Sequence, residues 1–408
     1  MTDPVTPPGP FDPLTLGPLT LRNRVIKAAT FEGVMPRGQV TQELIDFHVR
    51  VARGGAALTT VAYCAVSKAG RVSPDTMVMS DDLVPALQLL TDAVHAEGAA
   101  IAAQLGHAGY VAQGHSRRRP TMGPSTRFSA PATGIVKAAT PAQIDDTVED
   151  FARAARNAEA AGFDAIEIHL GHNYLLSSFL SPNLNKRKDD YGGSIENRLR
   201  FARRVIDAVR GAVGDRLAVW AKLNMADGVD KGLWLDESLP MARLLEADGH
   251  LDAIELTGGS SLLNGMYFFR GDVPLQEMVD AQPKAVGLGL RVIAPKLFPK
   301  LPFEEAFFLD FARQFRRELS MPLVYLGGVN GRGTLDRVIG QEGFELAAVA
   351  RAILRDPEFP TKMAAEPDGH GLCVHCNKCM PTIYSGTRCV LVPGSEFTHE
   401  PTPVGSPA

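Results

Sequence analysis

Eight times along this chain a short run rich in β-branched and small apolar residues gives way to a helical pattern. That alternation limits the fold more than any other feature, because it is the signature of βαβ units and a parallel sheet. The runs are NRVIKAA (23–29), AALTTVAYC (56–64), AAIAAQL (99–105), FDAIEIHL (163–170), RLAVWAKL (216–223), DAIELT (252–257), PLVYLGG (322–328) and ELAAVA (345–350). Helical patterns follow at roughly 41–53, 82–97, 141–161, 195–212, 236–248, 304–319, 331–340 and 356–365. The clearest is 141–161: Thr140 can cap it, Pro141 suits its first turn, and Ile144, Val148, Phe151, Ala155 and Ala158 form one apolar stripe. Eight strands with eight helices is the count of a closed (β/α)₈ TIM barrel, an α/β fold. An open doubly wound sheet is the competing architecture.

Two strand-to-helix connections are long, about 106–139 and 258–302. Such loops are rare in compact domains unless they are functional. In a barrel both fall on the C-terminal face, where active sites are built. The chain has 408 residues at 43.8 kDa, 45% apolar and 22% charged, enough to bury a sizeable core. Forty-two basic against 46 acidic side chains leave a net charge of −4, which argues against a nucleic-acid-binding surface. No run reaches 18 uninterrupted apolar residues, and the opening MTDPVTPPGP lacks both the basic start and the apolar centre of a signal peptide. The expectation is a cytoplasmic protein without a membrane span. Residues 1–10 are expected to be a flexible N-terminus, 11–365 the barrel, 366–392 a cysteine-rich extension and 393–408 a disordered tail.

Strand alternation picks out candidate chemistry. In FDAIEIHL, Phe163, Ala165, Glu167 and His169 share one face, and Ile166, Ile168 and Leu170 the other. The aliphatic face suits the surrounding helices, so Glu167 and His169 are expected inside, with His169 at the C-terminal mouth. The same parity in RLAVWAKLN turns Ala218, Trp220, Lys222 and Asn224 inward. A lysine and a histidine are expensive to bury idle. The loop continues as His169-Leu-Gly-His172-Asn-Tyr174, where two imidazoles can bind one anionic oxygen and a phenol can give or take a proton. Histidines three apart could also ligate a metal, but no acidic residue completes the set at the usual spacing. Gly327-Gly328, after an apolar strand and before a helix, can turn backbone N–H groups towards a phosphate, and Arg351 follows the next strand. No GxGxxG follows a strand, so a Rossmann module is not supported.

With these residues in place, the segment Ser181-Pro-Asn-Leu-Asn185-Lys-Arg187-Lys-Asp189-Asp-Tyr191-Gly192-Gly193-Ser194-Ile-Glu196-Asn197-Arg198 resembles the signature of the Old Yellow Enzyme family of FMN-dependent oxidoreductases. The likeness extends to Asn23-Arg24-Val25, Gln104-Leu-Gly-His107-Ala-Gly109, Gly327-Gly328 and Ala350-Arg351, and covers about residues 11–365. It implies non-covalent FMN at the C-terminal mouth of a (β/α)₈ barrel. Gln104 would bond the flavin pyrimidine edge and Lys222 would lie near N1 and O2. Backbone around Ala28, Ala29, Thr30 and Ala62 would line the ring, and Gly327, Gly328, Ala350 and Arg351 would hold the phosphate. His169 and His172 would bind a carbonyl oxygen, with Tyr174 as proton donor. NAD(P)H would bind transiently over the flavin and needs no fold of its own. Three features depart from the family: Phe31 stands where many members have Thr, Tyr110 replaces an expected Arg, and the 258–302 connection with Tyr267, Phe268, Phe269 and Arg270 is unfamiliar. That connection is expected to shape substrate choice. A homo-oligomer is expected only by analogy to the family.

The extension carries four of the five cysteines, Cys373, Cys376, Cys379 and Cys389, as C-x₂-C-x₂-C-x₉-C. The pattern resembles the segment that holds a [4Fe–4S] cluster in the dienoyl-CoA reductase and trimethylamine dehydrogenase branch. Iron–sulfur, zinc (His375 could join) and metal-free thiols all stay open. Cys64 is expected to be a packed small residue near the flavin. The leading expectation is an NAD(P)H-dependent ene-reductase-like enzyme acting on the C=C of an α,β-unsaturated carbonyl. Its rivals are a flavin and iron–sulfur dehydrogenase oxidising an amine or other small donor, a Schiff-base lyase using Lys222, and an electron carrier in which the barrel is only a scaffold.

Overall fold

The computed structural model describes residues 7–113, 120–281, 291, 298–396 and 400–404. The chain enters through a hairpin of β1 (Leu14–Leu16) and β2 (Leu19–Leu21). Eight parallel strands follow: β3 (Val25–Lys27), β4 (Leu58–Ala65), β5 (Ala100–Gly106), β9 (Ala165–Leu170), β10 (Ala218–Ala226), β11 (Ala253–Gly258), β12 (Leu323–Leu326) and β13 (Leu346–Val349). They pair in that order and β13 pairs back to β3, which closes the barrel and excludes the open sheet. Each overlaps its expected run.

Alternation sorts the side chains into two cores. Inward residues Ile26, Leu58, Ala102, Ala165, Ala218, Trp220 and Val324 fill the barrel and meet Leu16, Leu19 and Leu21 of the hairpin, which plugs its N-terminal end. Outward residues such as Ile166, Ile168, Leu170, Val219 and Leu223 pack beneath the helices. Cys64 lies in this outer layer, fully buried.

Helix α1 (Gln42–Arg53) is capped by Thr41, whose side chain accepts from the Leu44 N–H. Helices α2 (Val84–His95), α3 (Pro141–Ala160), α4 (Leu175–Leu180), α5 (Ile195–Val213) and α6 (Leu235–Asp248) continue the outer ring. A reciprocal cap opens α3: Thr140 Oγ1 accepts from the Gln143 N–H at 3.2 Å, and Gln143 Oε1 accepts from the Thr140 N–H at 3.0 Å. The expected final helix, 356–365, begins at Phe359 and runs to Ala365, and a further short helix, Arg351–Arg355, precedes it. Pro357 lacks an N–H and forces extended backbone on Asp356, so the helix cannot run through.

Three excursions crown the C-terminal face. The first carries a small sheet of β6 (Met122–Gly123), β7 (Arg127–Ser129) and β8 (Gly134–Ala138). Tyr110 pins it, with its hydroxyl bonded to the Ser125 backbone and Arg127 5.5 Å above its ring. The second contains short helices Met266–Phe269 and Leu275–Asp280. The cysteine-rich extension is the third. It crosses from the loop after β12, where the Gly371 N–H bonds Asn330 O at 2.6 Å, to the loop after β3, where the Thr387 N–H bonds Glu32 O at 2.7 Å.

The expected disordered tail is corrected in part. Residues 400–404 return to α1: the Gln42 N–H donates to Thr402 O at 3.0 Å and the Thr402 N–H to Glu43 Oε2 at 2.9 Å. Residues 397–399 and 405–408, and 1–6 of the expected flexible N-terminus, lie outside the described residues. Among the described residues no helix is long and apolar enough to cross a membrane.

Phe201 of α5 is fully buried and meets Phe179 of α4 edge-on at 5.0 Å. Phe201→Ala is expected to lower unfolding free energy by about 3–5 kcal/mol, read from urea unfolding monitored by circular dichroism.

Candidate active site

A cavity of about 330 Å³ opens at the C-terminal mouth, within the range of small-molecule and cofactor sites. It is lined by Ala28, Ala29, Thr30, Ala62, Gln104, His169, His172, Tyr174, Lys222, Gly327, Gly328, Ala350 and Arg351. The candidate residues outside the cysteine cluster therefore share one space.

His169 ends β9, facing inward as its parity requires. Its ring centroid lies 5.2 Å from His172 and 4.6 Å from Tyr174. His172 Nε2 shares a hydrogen bond with Thr257 Oγ1 at 3.0 Å. The turn that presents His172 is strained, with φ of +60° there and +58° at Asn173. Left-handed backbone at non-glycine residues costs on the order of 1–3 kcal/mol each and persists only where surroundings impose it. Here Asn224 Oδ1 takes the His172 N–H at 3.0 Å and Asp227 Oδ1 takes Asn173 Nδ2 at 3.1 Å. Asp227 is itself fixed by Ser181 Oγ at 2.6 Å, Asn224 Nδ2 at 2.9 Å and the Leu233 N–H at 2.9 Å.

Burial, with Lys222 nearby, lowers His172 to about 3. Burial, then His172 and Lys222, holds His169 well below the ordinary imidazole range. Both rings are therefore neutral near pH 7. Among the described residues His169 Nδ1 is buried without a hydrogen-bond partner.

The floor is ionic. Lys222 Nζ lies 2.8 Å from Glu167 and 2.9 Å from Glu255, all three at most 2% exposed. Glu167 also accepts from Gln104 Nε2 and from Trp220 Nε1 at 3.3 Å. Burial opposes a charged Lys222, but the two carboxylates outweigh it and raise its pKa. A Schiff-base lysine must lose its proton. This lysine is held protonated, which removes the physical basis of the lyase expectation.

A second buried cluster shapes the wall. Lys27 Nζ bonds Thr30 Oγ1 at 2.7 Å, while Glu32 takes the Ala62 N–H at 3.1 Å and faces His48 Nε2 at 3.3 Å. These contacts tie Ala28–Thr30 to Ala62. Phe31 adds an apolar surface to the cavity.

At the opposite end, Gly327 and Gly328 have φ of +151° and +78°. A Cβ on Gly328 would stand 2.9 Å from Glu304 O, so only glycine fits. Arg351 borders the cavity there and donates to Arg270 O at 2.9 Å and Asn377 Oδ1 at 2.5 Å. Arg351 also borders a small adjoining pocket lined by Cys373, Cys376, Cys379 and Cys389, and Cys379 lines both spaces. All four are free thiols. Among the described residues no three His, Cys, Asp or Glu side chains converge closely enough to hold a single metal ion. His375 stacks flat on Phe303, with ring centroids 3.3 Å apart, instead of joining the cysteines.

Sequence reasoning missed Glu255 and Thr257, although alternation in DAIELT places both inward beside Ala253. It also missed Tyr63, Phe303, Phe307 and Phe308 of the cavity wall. Phe303 follows the long connection, and Phe307 and Phe308 fall in the expected helix 304–319, which the structure begins only at Leu309.

The comparisons with known proteins agree with this geometry. Residues 10–255 match the NADH:flavin oxidoreductase / NADH oxidase family. The chain is 65% identical to the 4,4'-dithiodibutanoate disulfide reductase of Rhodococcus erythropolis, over 94% of this chain and 95% of that one. It is 31% identical to the NADPH dehydrogenase of Listeria monocytogenes serotype 4a (strain HCC23), over 88% of this chain and 95% of that one. The solved structure of 2-naphthoyl-CoA reductase shares the fold, with a TM-score of 0.80 at 21% identity, over 94% of this chain and 57% of that one. The chain thus belongs to the NADH:flavin oxidoreductase / NADH oxidase family, the Old Yellow Enzyme group, and is an FMN-dependent NAD(P)H oxidoreductase.

Proposed function

We propose that this enzyme uses NAD(P)H to cleave a small organic disulfide into two thiols. The observation that carries the reading is 65% identity, over nearly the full length of both chains, to the Rhodococcus protein named for 4,4'-dithiodibutanoate. One NAD(P)H and one proton supply the two electrons and two hydrogens that the disulfide takes up. When bound, FMN supplies a ring that accepts hydride from the nucleotide and passes the electron pair on.

The cavity suits FMN in its chemistry: polar groups on the barrel floor, apolar walls, and a cation beside a tight glycine turn. Gln104 and Lys222 would hold the pyrimidine edge, and Ala28, Ala29, Thr30 and Ala62 would flank the ring. Gly327, Gly328, Ala350 and Arg351 would hold the phosphate. His169 and His172, as neutral donors, bind the substrate atom that gains negative charge, and Tyr174 gives the proton. The same trio favours a second reading, in which His169 and His172 hold the carbonyl oxygen of an α,β-unsaturated substrate and Tyr174 protonates its α-carbon.

The four cysteines line one small pocket beside the cavity and would supply the thiolates of a [4Fe–4S] cluster or of a zinc site. Burial pushes the Cys379 thiol up to about 12, so loading must displace protons.

Protein purified without oxygen should show flavin bands between about 300 and 700 nm that NADH or NADPH bleaches. Adding 4,4'-dithiodibutanoate should restore them and release two thiols per nucleotide, counted with monobromobimane. Restoration by 2-cyclohexenone alone would favour the second reading. Restoration by neither would refute both. His172→Ala should lower kcat/KM by about 10²–10³ with FMN content unchanged.

The neutral imidazoles also predict a pH response. Because burial lowers His172 to about 3 and holds His169 well below its usual range, neither ring is expected to titrate where an ordinary imidazole does. Nitrogen-15 NMR should find the His172 ring neutral at about pH 5.5 and the His169 ring neutral at about pH 6.5, where a free imidazole is half protonated. An acid limb in kcat/KM centred near 6.5 and abolished by His172→Ala would contradict this.

A further inference from the structure

We propose that Glu255 is a positioning residue that stores a proton beneath the FMN: it holds the proton whenever the cofactor is reduced and releases it only from the oxidised enzyme in alkaline solution. The inference rests on FMN occupying the cavity.

Behind Lys222, which lines the floor of that cavity, two fully buried carboxylates share one ammonium. Fully ionised, Glu167, Lys222 and Glu255 sum to −1 in a space closed from below by Trp220 and Val324. The two carboxylates are not equivalent. Glu167 accepts from Gln104, Trp220 and Lys222. Glu255 touches Lys222 at 2.9 Å, yet neither of its oxygens has a hydrogen bond of good geometry. Of two buried carboxylates, the one whose donor is only a shared ammonium is the one on which a proton is more stable.

The surroundings agree from every side. On β10, Lys222 faces Glu255; on β12, its register partner is the apolar Val324. Glu167 of β9 supplies the opposing negative charge. Lys27 of β3 reaches this cluster only at longer range, its ammonium bonded to Thr30 and 3.8 Å from Glu32. His169 and His172 above are neutral. Burial and the charge of Glu167 raise the Glu255 pKa, while Glu167 stays ionised.

Reduction sharpens the asymmetry. Two electrons and one proton delivered to FMN as hydride leave a negative ring beside Lys222, whose charge is already shared. With Glu255 as COO⁻, the site would then carry two excess negative charges. Taking one proton from water converts Glu255 to COOH, and the two-electron reduction proceeds with two protons and no net change of charge. On reoxidation by a disulfide, hydride and that second proton account for the hydrogens of the two thiols. Lys222 remains an ammonium throughout, so Glu255 acts through Lys222 without touching substrate.

The test is a potentiometric titration of FMN-loaded enzyme from pH 6.5 to 10. At fixed potential, the reduced-to-oxidised ratio in wild type should fall about tenfold per pH unit near neutrality and about a hundredfold per unit in the alkaline range. Glu255→Gln should stay near tenfold throughout, and Glu255→Asp should restore the steeper limb. A wild type that stays at tenfold, or a steep limb that survives in Glu255→Gln, overturns the proposal. Should both variants fail to fold, a reduced-minus-oxidised infrared spectrum of wild type at pH 9 decides. A protonated carboxylic C=O band must appear on reduction, and its absence refutes the inference. Protein that binds no FMN refutes the cofactor reading before any slope is measured.

Discussion

Two carboxylates on one ammonium, all fully buried, are tolerable only when their geometry repays the loss of water, and the cofactor end of this barrel is arranged around that requirement. Lys222 can stand at the cavity floor because β9 and β11 flank β10 and each brings a carboxylate inward, Glu255 in register with Lys222 and Glu167 one inward position lower, in register with Trp220. Trp220 and Gln104 complete the shell of Glu167. Removing one partner would strand the others, at a cost of about 3–5 kcal/mol in comparable sites. The same arrangement keeps Lys222 charged, which depresses the histidines above it and removes the lysine from nucleophilic chemistry.

The family signature acts mainly through backbone. Ser181 grips Asp227, which secures the strained His172–Asn173 turn. Asn185 Nδ2 bonds Phe179 O at 2.8 Å and Tyr191 O at 2.7 Å, closing the loop between α4 and α5. Arg187 reaches Pro124 O at 3.1 Å and Ala139 O at 2.8 Å, fastening the first excursion to the barrel. The segment that most clearly marks the family is thus scaffolding for the residues that face the cavity.

Legibility followed periodicity. Strand alternation was enough to turn Glu167, His169 and Lys222 inward, because one face of each strand is wholly aliphatic and must meet the helices. It would have reached Glu255 and Thr257 by the same rule. The aromatic wall at Phe303, Phe307 and Phe308 was not readable, because the expected helix 304–319 begins only at Leu309 and the irregular segment before it does not follow a helical face. The return of Thr402 and Val404 to α1 was equally hidden: the pairing is backbone to backbone, or backbone to the Glu43 carboxylate, and needs no side-chain pattern around residue 402. The break at Pro357 could have been read, because proline restricts the residue before it.

Neutrality of the two imidazoles bears on the chemistry more than their presence does. A charged pair would bind an anionic ground state strongly and gain less as the reaction proceeds. Neutral donors in a water-poor cavity favour a group mainly once its charge develops, which is the difference that accelerates a step. That holds whether the charge gathers on a thiolate sulfur or on an enolate oxygen. Burial supplies the neutrality, and the ammonium of Lys222 below reinforces it. The ionic floor thus strengthens a neutrality that burial has already imposed on the donors. The two carboxylates beside Lys222 let that lysine stay charged, and its charge helps keep protons off the histidines that meet the substrate.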